Sequence, residues 1–134
     1  MQKQTFIDAN IILRFILNDN ESLSQKARKI VLEKDCRVSY EVIAEVVYVL
    51  SGVYEIGRTG ISNAISTFLP NVTVSNEKVL QTALAYFAET KLDFVDCILA
   101  AQSIIGKNEI LSFDKKLNNF INRKEAEQNS KSPH

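Results

Sequence analysis

Short apolar runs alternate with helix-patterned stretches along this chain, and that alternation leaves few folds open to it. Gln4-Thr5-Phe6-Ile7 reads as a short buried strand, and Ile11 to Leu17 continues as a helix until Asn18-Asp19-Asn20 breaks it. Asn20 or Ser22 can cap a helix to about Glu33, with Leu23, Ala27, Ile30 and Val31 on one face. Cys36 to Ser39 is a second strand, and a long helix follows from Tyr40 or Glu41 to about Ile56, stopped by Gly57. The pattern then predicts a helix over Ile61 to Leu69 ended by Pro70, a strand at Val72-Thr73-Val74, and a helix from Ser75 or Asn76 to about Thr90. Asp93 opens a helix running to Gly106, Glu109 to Phe113 makes a last strand, and Lys115 to Ile121 is helical. Strands interleaved with helices in this way predict an α/β sandwich around a parallel sheet.

The length of 134 residues suits a single core. The expected domain covers residues 1–121, and the polar stretch 122–134 is expected to be a loosely ordered tail. No apolar run approaches the roughly 20 residues that span a bilayer. Met1-Gln2-Lys3-Gln4 leads into a strand broken by Asp8, which makes a poor secretory signal. Cys36 and Cys97 both lie in apolar surroundings, as buried free thiols do, and this fits a reducing, cytoplasmic compartment. Sixteen basic and sixteen acidic residues cancel, so the whole chain exerts no net attraction on nucleic acid; any such partner needs a local basic patch or a metal ion.

Four carboxylates stand where apolar residues or simple caps are expected. On the long helix, Val42, Val46, Val49, Leu50 and Val53 form the predicted buried stripe, and Glu45 shares that face by its spacing. A carboxylate buried there needs a partner or a metal; otherwise Glu45 edges the stripe and reaches water or a lysine. Asp96 sits in Phe94-Val95-Asp96-Cys97-Ile98-Leu99-Ala100-Ala101, a segment apolar nearly all round, although Asp93 and Asp96 also occupy the first turn, where carboxylates cap helices. Asp8 ends the first strand and Asp114 the last, positions that suit either an N-cap or a ligand site at the carboxyl ends of parallel strands.

Oxygen-only donors of this kind suit Mg²⁺ or Mn²⁺, which can polarise a phosphodiester without help from histidine. The sole histidine is His134, so Ser-His-Asp and Cys-His mechanisms lack their base, and a zinc site lacks its ligands. Gly52, Gly57, Gly60 and Gly106 make neither a phosphate loop nor a dinucleotide fingerprint.

Phe6-Ile7-Asp8-Ala9-Asn10-Ile11-Ile12-Leu13 resembles the opening motif of PIN-domain nucleases, and Ile43-Ala44-Glu45-Val46-Val47-Tyr48-Val49-Leu50 the second. Leu92-Asp93-Phe94-Val95-Asp96-Cys97-Ile98-Leu99-Ala100-Ala101 is similar to the third, and Leu111-Ser112-Phe113-Asp114-Lys115-Lys116-Leu117 to the fourth. The resemblance implies a PIN-like α/β/α sandwich with a central, mainly parallel sheet. It also implies one acidic site in which Asp8, Glu45, Asp96 and Asp114 bind Mg²⁺ or Mn²⁺, supported by Asn10 and Ser112. Many relatives have threonine where Ser112 stands. Asp93 is an extra acidic residue, open as a cap, a fifth acidic group, or neither.

The compact size resembles the VapC-like toxins of toxin–antitoxin pairs. That likeness implies an RNA endonuclease, homodimeric, silenced by a cognate antitoxin. Arg14, Lys115 and Lys116 are the basic residues expected nearest the pocket, where they would hold RNA phosphates unless they are plain surface charges. An antitoxin helix is expected on apolar surface such as that of Ile12, Phe15 and Ile16, with a basic side chain reaching the acidic site, unless these residues fill the core or a homodimer interface, the reading preferred for Ile12. Two other readings stand beside this one. The first is a catalytically silent PIN-like scaffold that acts through protein or RNA binding. The second is a small-molecule phosphatase, for which the second aspartate of the nucleophile motif is missing, with Asn10 in its place.

Overall fold

The computed structural model describes residues 3–131; Met1, Gln2 and residues 132–134, His134 among them, lie outside it. Two compact units divide the chain, the first ending at Glu77 and the second starting at Lys78.

The sheet belongs to the first unit. Strand β1 (Thr5–Phe6) pairs in parallel with β2 (Cys36–Arg37), Thr5 opposite Cys36 and Phe6 opposite Arg37. The Ile7 amide donates to the Arg37 carbonyl at 3.2 Å, carrying the pairing up to Asp8. The predicted strand at Val72–Val74 contributes a single parallel bridge, Thr73 to Arg37, with Val38 N donating to Thr73 O at 3.0 Å. A parallel arrangement is therefore present, in a sheet much smaller than the sequence pattern suggested.

Four helices complete this unit, each begun or ended by a residue whose chemistry explains the boundary. Helix α1 (Ala9–Leu17) stops at Asn18, which takes the left-handed conformation (φ 53°) that asparagine tolerates. The Asn20 side chain caps α2 (Glu21–Glu33) by accepting from Leu23 N at 3.1 Å. Ser39 caps α3 (Tyr40–Gly52) through Val42 N. That helix ends before the expected Gly57, which instead stands at the N-cap of α4 (Arg58–Phe68). A 3₁₀ turn at Leu69–Asn71 contains Pro70 and closes α4, as the sequence indicated.

The second unit is helical among the described residues: α5 (Glu77–Glu89), α6 (Phe94–Ile104) and α7 (Lys115–Lys131). Phe87 meets Phe94 edge-on at 5.6 Å, and Tyr86 meets Phe120 at 4.9 Å. Phe94 and Leu117 are fully buried, and burial of one such side chain stabilises by roughly 1.5–3 kcal/mol.

Two expectations fail in this unit. No strand forms over Glu109–Phe113, where Leu111 and Phe113 are 85% and 106% exposed: the apolar run has no neighbouring strand to satisfy its backbone. The helix expected to end at Ile121 continues to Lys131. Its extension is held because Lys124 Nζ lies 2.9 Å from Glu89 Oε1 and 3.4 Å from Glu127 Oε2, over the Tyr86 and Phe120 rings. The stretch from 122 to 131 is thus helical and not loosely ordered. Cys36 and Cys97 are buried free thiols, and burial pushes the Cys36 thiol up. Among the described residues no helix is long and apolar enough to cross a membrane.

Candidate active site

In the first unit, the β1–α1 junction aims Asp8. The chain leaves β1 in an extended conformation, and Asp8 Oδ1 accepts from Ile11 N at 3.1 Å, capping α1. Asp8 and Asn10 line one cavity of about 430 Å³, together with Phe6, Ile11, Ile30 and Lys34. Lys34 is a cation that the sequence reading did not place near Asp8; it follows α2 directly, and only the fold brings it round.

Glu45 does not line this cavity. It is exposed on α3, whose buried residues are Ile43, Ala44, Val46, Val47 and Leu50. The stripe is therefore shifted round the helix from the one predicted. Val42 and Val49 only edge it, Val53 is 70% exposed, and Glu45 lies outside it. Arg14 is likewise committed elsewhere: its Nη1 lies 2.8 Å from Asp19 Oδ1. The hydrogen bond from Arg14 holds the Asp19 carboxyl below its usual range, although burial opposes this slightly.

In the second unit the acidic residues act on one another. Asp96 is half-buried in the first turn of α6, and burial, then Asp114, then Asp93 push its carboxyl above the usual range. Asp96 lies inside the first turn of α6, three residues past the N-cap position, which Asp93 holds. Asp93 occupies the N-cap position of α6, yet its side chain makes no capping hydrogen bond.

Asp114 does cap. Its Oδ1 accepts from Lys116 N at 2.9 Å and from Leu117 N at 3.3 Å, at the start of α7. Ser112 steadies it: the Ser112 hydroxyl accepts from Asp114 N at 3.0 Å, while Asn118 Nδ2 donates to Ser112 O at 2.8 Å. The supporting position expected for Ser112 is thus occupied by a hydroxyl that orients the carboxylate's own backbone. Lys115 and Lys116 are exposed at the start of the same helix.

These donors suit a hard divalent cation in kind, being carboxylates throughout; burial first, then the charges of Asp114 and Asp93, disfavour ionised Asp96. Among the described residues, no three His, Cys, Asp or Glu side chains stand close enough together to hold a metal ion. Magnesium is commonly held by one or two carboxylates with waters completing its shell, so the donor set remains a fit.

Residues 5–121 match the PIN domain family, a span that includes all four motifs. The chain belongs to the PIN-domain family. Comparison with curated proteins and with solved structures gave no match. PIN domains have a nuclease-type fold and generally depend on divalent metal, and Asp8, Glu45, Asp96 and Asp114 all lie within the matched span.

Proposed function

We propose that this PIN domain is a Mg²⁺- or Mn²⁺-dependent endoribonuclease, the toxin of a toxin–antitoxin pair. The observation that carries the nuclease reading is the match of residues 5–121 to the PIN family, with Asp96 half-buried near the start of α6 and its carboxyl pushed up by burial, then by Asp114 and Asp93. Carboxyls raised by burial and by neighbouring charge are found at functional sites, which adds to this reading. Asp96 and Asp114 interact electrostatically within the second unit, and Asp8 and Glu45 enter the proposal through their motifs alone.

Hydrolysis joins a water oxygen to phosphorus, breaks the bond to the leaving ribose oxygen, and delivers a proton to that oxygen. A bound divalent cation supplies charge stabilisation at the phosphodiester. The chain's own residues do the rest. Asp96 holds a proton to a higher pH than an ordinary carboxyl in the metal-free protein. Asp114 is fixed by Ser112 and by its cap, so it is set in place before any ligand arrives. Lys115 and Lys116 present charge to the flanking phosphates.

Purified protein is expected to cut single-stranded or looped RNA with Mg²⁺ or Mn²⁺ and to stop when EDTA is added. The Asp96→Ala variant should be inactive beside it. Intact RNA across a broad panel, with metal present and antitoxin absent, would refute the reading.

The toxin role adds three partners: RNA as substrate, an antitoxin that blocks cleavage, and a second copy in a homodimer. Phe15 and Ile16 are half-buried and line an apolar groove of about 420 Å³ with Arg28 and Phe68, which suits an antitoxin helix; Ile12 is fully buried and belongs to the core instead. The two free thiols fit a reducing, cytoplasmic setting.

A silent scaffold is favoured by one observation, that Asp8 and Asp114 both serve as helix caps. Growth arrest that persisted with Asp8→Ala and Asp96→Ala would select that reading over the nuclease.

A further inference from the structure

A neutral chain that acts on RNA must hold it with a local patch, and the stretch from 115 to 124 is the obvious place to look. It contains Lys115, Lys116, Arg123 and Lys124 and no acidic residue. The four have different duties. Lys124 is spent on Glu89 and Glu127. Lys116 and Arg123 form no salt bridge among the described residues, and both line a groove of about 260 Å³ with Thr90, Leu92, Asn119 and Phe120.

Lys116, Asn119 and Arg123 are spaced three and then four residues apart, so they stand in one row along α7, spanning about 10 Å of helix axis. The Arg123 guanidinium lies 5.2 Å from the centre of the Phe120 ring, and Phe120 is buried, so the ring is a fixed platform that limits where the charge can go. The Lys116 and Leu117 amides at the start of α7 are already taken by the Asp114 carboxylate, so anion binding here rests on the side chains. Lys116 stands two residues after Asp114, so the row begins at the proposed site and leads away from it.

We propose that this groove holds the sugar–phosphate backbone of single-stranded RNA next to Asp114, with Lys116 and Arg123 on separate phosphates and Asn119 hydrogen-bonding between them. The proposal rests on the nuclease reading and deepens it. Two of the lining residues, Lys116 and Arg123, are cationic and none is acidic, so the groove is complementary in charge to a phosphodiester chain.

The test measures binding of a labelled, mixed-sequence RNA oligonucleotide to the full chain in EDTA over a range of salt, and cleavage separately with Mn²⁺. Arg123→Gln should weaken RNA binding several-fold and lower the slope of log K against log salt by about 0.7, the value for one single-strand phosphate. Its KM should rise while kcat holds. Asn119→Asp, at an exposed position, should weaken binding as well, whereas Arg123→Lys should keep the salt slope, and Lys26→Gln on α2 should change nothing. If the wild type cleaves RNA but Arg123→Gln and Asn119→Asp keep its KM and salt slope, the groove is refuted and the nuclease reading survives. A wild type that neither binds nor cuts RNA overturns both. Tighter binding of polyglutamate than of RNA, lost in Arg123→Gln, would assign the groove to an acidic protein and overturn the proposal.

Discussion

Burial raises the Asp96 carboxyl and Asp114 adds to the rise, although Asp114 itself is engaged in capping α7. The two residues are thus linked by repulsion that the fold tolerates, and only one of them receives amide hydrogens in return.

This link has a definite pH signature. Because the folded state holds the Asp96 proton more tightly than the unfolded chain does, stability falls as pH rises from the ordinary carboxylate value through the raised one. Above that window the penalty is fully present. Asp96→Asn removes it, so in EDTA near neutral pH the variant should melt a few degrees above wild type, and the difference should vanish in acid. Mn²⁺ should narrow or reverse the gap by stabilising the wild type alone. Equal melting temperatures at every pH in EDTA would show that burial and repulsion together put no energetic weight on Asp96.

Asp8 can be separated into its two duties. Asp8→Ala deletes the hydrogen bond to Ile11 N and should cost about 1 kcal/mol in urea unfolding. Asp8→Asn keeps an oxygen for that bond and should leave stability close to wild type, while RNA cleavage falls by about a hundredfold or more, as expected for a group that holds metal. Full activity in Asp8→Asn would reduce Asp8 to a cap.

Lys124 should control the end of α7. Burial works against its charge, but the hydrogen bond and charge of Glu89, with Glu127, outweigh burial and hold the ammonium above the usual lysine value. The stabilisation is therefore complete below the ordinary lysine pKa and lost as pH rises through the raised one. Lys124→Ala should lose roughly 1–2 kcal/mol, the ion pairs and ring contacts together, and circular dichroism should show a shorter helix. Helix content unchanged from wild type would mean that the extension past Ile121 holds itself.

Gly106 closes α6 at close quarters. A Cβ there would lie 2.7 Å from the Gln102 carbonyl oxygen, which is backbone and cannot swing aside. Gly106→Ala should therefore destabilise by about 1–3 kcal/mol in chemical unfolding. A neutral outcome would require the end of α6 to move.

The helices were legible in the sequence where caps and periodicity agreed, as at Asn20, Ser39 and Pro70. Glu45 was misplaced because α3 carries so many apolar residues that a spacing rule selects more than one face; only packing showed that Ile43 and Val47 point inward. Glu109–Phe113 looks like a strand to any local rule, yet a strand exists only through a neighbour, which sequence spacing does not supply. The helix beyond Ile121 was missed for the opposite reason: its support, Glu89, is far away in sequence. For the site, the motifs pointed to the carboxylates, while the pairing of Arg14 with Asp19 and the arrival of Lys34 beside Asp8 depend on the fold.

The uncovered segment before Asp114 has a practical consequence. Ile110, Leu111 and Phe113 form a short window rich in side chains that favour β-pairing, and such windows stick to copies of themselves when nothing covers them. Asp114, Lys115 and Lys116 follow at once, charges of the kind that act as gatekeepers against aggregation. Neutralising these residues to study catalysis or RNA binding strips that protection as well, so the soluble yield of each variant belongs beside its activity, and an insoluble Asp114→Asn would say nothing about metal.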